Sequence, residues 1–275
     1  MFALLTIPLA VIMGVGSTSR WKKDKLSRFI FPLGIIFISS IVLSGLITWR
    51  LSSDGFDLGK FELFNDFKVG GFAGLALGIW VIQWSIHSIL ERLKNQDDKL
   101  AGIRKIPASI WGMSVAHFGI GIFIIGVAHV NAYSIEKDIR LKPGETYQMA
   151  GYKFSFGGVS KVREENYLAS EGKFIVTARS GSTFNLEPQK RTYSSGSPMT
   201  EAAINTTVSR DIYVSLGDDL KDGSWSVRLY YKSFVACIWI GGFIMALGGL
   251  IATCDRRYRR PVKKMTKQQL ADVKS

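Results

Sequence analysis

The amino-acid sequence predicts a polytopic α-helical membrane protein with about five transmembrane helices and one extracytoplasmic, mainly-β domain between helices four and five. Three observations predict it. Hydrophobic residues make up 47% of the 275, and they collect in runs of about twenty with almost no charge. Basic residues concentrate in alternate gaps between those runs. About one hundred residues before the last run change texture to short alternating stretches punctuated by turn residues. The same distribution excludes an ordinary soluble enzyme and a disordered chain. Two cysteines make no disulfide framework.

The runs are 2–16, 29–49, 69–90, 110–130 and 234–253. Twenty helical residues rise roughly 30 Å, enough to cross the hydrocarbon core. The first run reaches only about 22 Å. It is either a short helix in a locally thin environment or one whose neighbours shield its ends. A signal peptide needs a positive region before its apolar stretch. Here Arg20, Lys22, Lys23, Lys25 and Arg28 follow the run instead, which predicts a retained helix with its N-terminus outside.

Charge sets the expected orientation. The formal charge is +13. Segments 17–28, 91–109 and 254–275 together hold 18 Lys and Arg against six acids, and all three fall on one side if every run crosses once. The positive-inside rule places them in the cytoplasm. The opposite side holds 50–68 and the long segment 131–233, both near neutral. The basic tail therefore reads as topology and attraction to anionic headgroups, and no nucleic-acid partner is expected. The domain organisation that follows is a helical region over 1–133, an outer β domain over 134–231, a last helix over 232–254 and a basic tail over 255–275.

Within the outer segment, alternation at Tyr152, Phe154 and Phe156 and at Ile212, Val214 and Leu216 fits half-buried strands. Pro143-Gly144, Gly157-Gly158, Gly181 and Asp218–Gly223 punctuate them. A small barrel or sandwich hung from two helices is expected. Gln189–Thr207, rich in Ser and Thr, reads as a mobile loop. No His or Cys lies here, so the segment suits binding, positioning or simple spacing.

All three histidines fall in apolar runs, where ionisable groups are costly and mark functional sites. His117 lies seven residues into the fourth run, with Gly112, Gly119 and Gly121 nearby to give a flat macrocycle room at the backbone. An imidazole there can ligate haem iron or simply hydrogen-bond a neighbouring helix. His129 is twelve residues further on, roughly 18 Å along the axis, so the two cannot share an iron. It reads as a residue of the outer rim. His87 reads as a rim residue about 7 Å from the depth of His117 on upright helices. The chain thus supplies one well-placed ligand and no mate. Either no haem binds, or the mate is on another polypeptide. Small residues four apart in Gly70–Gly78 and Gly241–Gly249 are explained by close helix packing. Trp49, Trp80, Trp84 and Trp111 read as belt residues at the interfaces.

The stretch from Trp111 to Ala128 (WGMSVAHFGIGIFIIGVA), followed by SIEKDIRLKPGETYQMAGYKFSFGGV, resembles the C-terminal part of the CcmF family. So do MTEAAI before RDIYVSLGD and the exit helix in WSVRLYYKSFVACIWIGGFIMALGGLIA. Members of this family are haem lyase components of cytochrome c maturation. The resemblance covers nearly the whole chain. It departs from the family in lacking the tryptophan-rich WWD segment and its two flanking outer histidines. The expectation is a split protein whose N-terminal half is a separate polypeptide, or else a truncated remnant.

The resemblance implies that His117 is one axial ligand of a transmembrane haem b shared with an N-terminal CcmF-like half carrying the WWD segment. It implies a role in reducing incoming haem with electrons from quinol, before thioether formation on apocytochrome c. Implied partners are haem-loaded CcmE, CcmH and CcmI, and the implied location is the bacterial inner membrane, with 134–231 periplasmic and the C-terminus cytoplasmic. His87 and His129 inherit no role, and the chain alone is not expected to attach haem. The rival expectation is a non-catalytic scaffold whose periplasmic domain recruits apocytochrome or assembly factors. A small transporter fits less well, because no run carries a charge in its middle.

Overall fold

The computed structural model describes residues 2–16, 27–53, 66–94, 96, 98–193, 196 and 198–255. The tail from 256 and most of the gaps 17–28 and 50–68 lie outside the described residues, so the charge reading of those segments has no structural counterpart.

The apolar runs form helices α1 (Phe2–Gly16), α2 (Ser27–Ser53), α3 (Asp66–Leu93), α5 (Ala108–Tyr133) and α6 (Val235–Thr253), with a short α4 (Lys99–Lys105) between α3 and α5. Among the described residues, α2, α3, α5 and α6 are long and apolar enough to cross a membrane. The chain has the architecture of a multi-pass membrane protein. Helix α4 is not signalled by hydropathy. It starts because the Asp98 carboxylate accepts from the backbone N–H groups of Leu100 and Ala101, at 2.9 and 3.2 Å.

Glycine decides how the helices meet. Cβ atoms built on Gly112, Gly119 and Gly126 of α5 would press into α6 at Gly248–Ala252, Gly241–Met245 and Cys237–Ile238. On the opposite face of α5, Gly121 meets Ile82, while Gly78 and Gly74 of α3 meet Ile125 and Ala128. Helix α5 is therefore held between α3 and α6 at near backbone contact, the packing that membrane helices use where hydrophobic drive is absent. The seam on α6 is Gly241 and Gly248, seven apart. Their neighbours Gly242 and Gly249 face open space.

Helices α1 and α2 pack on α3 in a cluster that Ile120 and Ile124 of α5 also reach. Trp84 and Val81 are fully buried there, and Trp80 is nearly so; the Trp80 indole donates to the Val11 carbonyl of α1 at 3.3 Å. This corrects the belt reading of Trp80 and Trp84, which are interior. Trp49 is 69% exposed and lies near a helix end. Between α2 and α3, Ser39 donates to Gln83 Oε1 at 2.7 Å and Ser44 to the Phe72 carbonyl at 3.1 Å.

The N-terminus of α5 has no side-chain cap from its own segment. Buried Asp255, just past α6, accepts from Ser109 N–H at 2.8 Å and takes that role, worth about 1 kcal/mol.

Between α5 and α6 the chain folds into two antiparallel sheets. One orders β1 (Ile135–Leu141), β10 (Trp225–Ser233), β9 (Arg210–Asp219) and β8 (Ala203–Thr206) as β1-β10-β9-β8. The other follows the path β2-β3-β4-β6-β7 through β2 (Thr146–Met149), β3 (Tyr152–Arg163), β4 (Tyr167–Ala178), β6 (Gln189–Tyr193) and β7 (Pro198–Glu201), with β5 (Thr183–Leu186) also on β4. The two inner faces close on Phe154, Phe156, Phe174, Val176, Ile212, Val214, Leu216, Val227 and Leu229, all at most 1% exposed. Phe156 and Phe174 stack at 4.8 Å, one residue before a bulge where Gly158 has φ +106°. The segment expected as a mobile loop, Gln189–Thr207, instead contributes β6, β7 and β8; its Ser and Thr residues hid the alternation.

Candidate functional site

Where the sandwich joins the bundle, His129 is buried, 4% exposed, and packs edge-on to Phe234 at 5.0 Å and against Tyr133 at 5.3 Å. Its Nδ1–H donates to the Ile125 carbonyl at 3.2 Å, and its own carbonyl accepts from Ser233 Oγ at 2.9 Å. Phe234 turns the chain into α6 with φ +54°. The expectation of a rim residue is corrected: His129 is a packed part of the corner between α5, β10 and α6.

His117 is placed differently. At about 100° per residue it lies between the two glycine faces of α5, in line with Ile120 and Ile124. Those two residues pack against the Trp80–Trp84 cluster. His117 is half-buried, roughly 14 Å along the helix from its start at Ala108. Its Nδ1 lies 2.6 Å from the Met113 carbonyl. A carbonyl only accepts, so Nδ1 carries the proton and the Nε2 lone pair is left over. Nε2 has no hydrogen-bond partner among the described residues. A ring oriented by a backbone carbonyl in this way can serve as a single axial ligand of iron, so the residue fits half of a haem site.

The surroundings correct the sequence reading in two places. Gly112 and Gly119 are filled by α6, and Gly121 by α3, so none of the three opens room for a macrocycle beside His117. Any flat group must approach from the Ile120–Ile124 side. The depth of His87 is also corrected. The antiparallel register pairing Gly78 with Ile125 and Ile82 with Gly121 brings residue 86 level with residue 117, so His87 stands at nearly the same depth as His117. It nevertheless points to the far side of α3, edge-on to Trp84 at 5.3 Å. The two rings do not face one another. Among the described residues no group of three or more His, Cys, Asp or Glu is placed to hold a metal ion.

Two cavities flank α3. An apolar one of about 240 Å³ lies toward α5, and Ser114 lines it with a buried hydroxyl that has no partner among the described residues. A larger one of about 640 Å³ lies toward α2, at the end remote from the sandwich. Sequence reading missed it. Its only trace was charge flanking the apolar runs at Arg28 and Glu91, which meet as an ion pair across α2 and α3.

Comparison with known proteins gives this arrangement a family. A family model described as the CcmF C-terminal beta-sandwich matches residues 132–233. The cytochrome c-type biogenesis protein CcmF of Escherichia coli K12 is 37% identical over 265 residues, 95% of this chain and 38% of that protein. The protein of the same name from Haemophilus influenzae is 35% identical over 261 residues, 94% of this chain and 38% of its own. The chain thus spans less than two fifths of the length of these relatives. A solved structure titled Cytochrome c Heme Lyase CcmF superposes with a TM-score of 0.66 at 20% identity, covering 91% of this chain and 40% of that one, which shows a shared fold. By sequence and by fold the chain belongs with the CcmF family, as a homologue of the C-terminal part of its members.

Proposed function

We propose that the chain is a subunit of a haem lyase for c-type cytochrome biogenesis in the bacterial inner membrane, contributing His117 as one axial ligand of a transmembrane haem b. The second ligand comes from an N-terminal CcmF-like half that also carries the WWD segment. One observation carries this reading: His117 sits within a membrane-length helix with Nδ1 engaged by Met113 and Nε2 unengaged. When bound, haem b supplies the one-electron chemistry that reduces incoming haem before its attachment to apocytochrome c, with quinol as electron source.

The residues of this chain hold and orient the ligand ring. Met113 fixes the tautomer, and α3 and α6 clamp the helix through glycine, which leaves the Ile120–Ile124 side for the haem. The sandwich, on the periplasmic side in this reading, offers the surface for apocytochrome c, haem-loaded CcmE, CcmH and CcmI. The far end of the bundle then faces the cytoplasm, in line with its Arg92, Lys94, Lys99, Arg104 and Lys105.

The test is haem content of the chain purified with its N-terminal partner, read as a pyridine haemochrome. His117→Ala is expected to lose the b-type signal, and added imidazole to restore it. His87→Ala and His129→Ala are expected to keep it. Full haem content in His117→Ala removes the ligand assignment.

A further inference from the structure

The 640 Å³ cavity between α2 and α3 has a size usual for small-ligand sites and two unlike halves. Its rim, at the end of the bundle remote from the sandwich, carries Arg28, Glu91, Lys94 and Lys99. Arg28 engages Glu91 through both Nε and Nη2, so the one acid of the rim is neutralised. Lys94 and Lys99 are exposed, and neither forms an ion pair among the described residues. The rim therefore carries a net positive charge concentrated on two lysines. Lys94 lies just past the end of α3, three residues after Glu91 and seven after His87.

Below the rim the wall turns apolar. Phe31 and Ile35 of α2 and Leu90 of α3 line it, and they are 77%, 52% and 57% exposed. In a membrane-spanning bundle such side chains face acyl chains, so the cavity opens sideways into the bilayer while its charge sits at the headgroup level. A soluble anion would leave this apolar wall unused. A zwitterionic lipid would leave the lysine charge unbalanced. A basic pocket between transmembrane helices at one membrane face suits an anionic headgroup.

We propose that this cavity binds an anionic phospholipid, its phosphate held by Lys94 and Lys99 and its acyl chains laid along Phe31, Ile35 and Leu90. Its position on the far side of α3 separates it from His117, and it does not depend on haem binding. The lipid fills the groove between α2 and α3 at the end where their direct tie is the Arg28–Glu91 pair.

The experiment is native mass spectrometry of the full chain released from nanodiscs of equimolar phosphatidylglycerol and phosphatidylcholine. The wild type is expected to retain phosphatidylglycerol in excess over its share. Lys94→Glu with Lys99→Glu removes the excess, at roughly five-fold in affinity per lysine. Lys137→Glu with Lys161→Glu, on the sandwich, leaves it intact. Should the double reversal fail to fold, Lys94→Gln with Lys99→Gln serves in its place and is expected to reduce the excess. Retention of the two lipids in equal proportion overturns the proposal. So does an excess that survives the Lys94 and Lys99 changes, displacement of the lipid by an isoprenoid quinone, or equal protection against thermal unfolding by inorganic phosphate alone.

Discussion

The helical bundle and the sandwich are held together by opposite means. The sandwich fills its centre with large side chains, nine of them at most 1% exposed, drawn from both sheets. The bundle does the reverse where its helices are closest: α3, α5 and α6 meet through glycines and alanines, and the buried large side chains, Trp80 and Trp84, both project from α3 into the cluster it forms with α1 and α2. The difference follows from solvent. In water, burial of apolar surface drives packing, and volume stabilises. In lipid that drive is absent, and close backbone approach takes its place. One chain therefore follows two rules for the same substitution: removing volume harms one half, and adding it harms the other.

The sharpest way to break this contrast is to remove volume from the sandwich. Phe174 is 1% exposed and stacked on Phe156. Phe174→Ala is expected to cost about 3–5 kcal/mol through lost burial and the cavity left behind, read as a fall in the sandwich transition in thermal unfolding followed by near-UV circular dichroism. A loss below about 1 kcal/mol would mean that the two sheets do not share a packed core.

Adding volume to the bundle comes next. A Cβ on Gly119 would stand 2.8 Å from the Gly241 carbonyl oxygen and the Met245 nitrogen, both backbone atoms that cannot swing aside. Gly119→Leu is expected to destabilise by roughly 1–3 kcal/mol by forcing α5 and α6 apart. Gly242→Leu, with nothing within 4 Å, is its control and is expected to leave the melting temperature in detergent unchanged. Equal effects at the two positions would show that the glycines of α5 and α6 act through helix propensity rather than through contact.

The same contrast explains what the sequence disclosed. Helices and strands were legible because hydrophobic periodicity records which face each element buries: the 3.6-residue and two-residue patterns are local, and Phe154, Phe156, Ile212 and Val214 alternate as the core requires. Helix contacts were half legible. Glycine spacing announced close packing, but not that Gly241 and Gly248 form the seam while Gly242 and Gly249 face outward. Composition cannot state which side of a helix meets a neighbour. The depth of His87 depended on the α3–α5 register, which is set by shape between distant residues. Asp255 could not be seen as the cap of α5 from 146 positions away. For His117 the pattern indicated a place inside the membrane and the resemblance supplied the role, whereas the Met113 hydrogen bond that fixes its ring came only from the structure.

The smallest effect concerns charge on the rim of the sandwich, where water weakens what volume does inside. Asp138 on β1 and Arg228 on β10 are register partners, and the guanidinium donates to both carboxylate oxygens, at 2.5 and 3.0 Å. That hydrogen bond, aided by the Arg228 charge, holds the Asp138 carboxyl below its ordinary value. A carboxyl whose pKa is lower folded than unfolded contributes stability above the unfolded value, near 4, and loses it as pH falls through the folded one. The melting temperature of the wild type is therefore expected to drop, as pH falls below about 4, by slightly more than that of Asp138→Asn. Both groups are about half exposed, so high salt is expected to shrink the difference toward zero. A difference that persists undiminished at high salt would locate it in packing between β1 and β10 and not in the ion pair, making the strand edge more like the core than its exposure suggests.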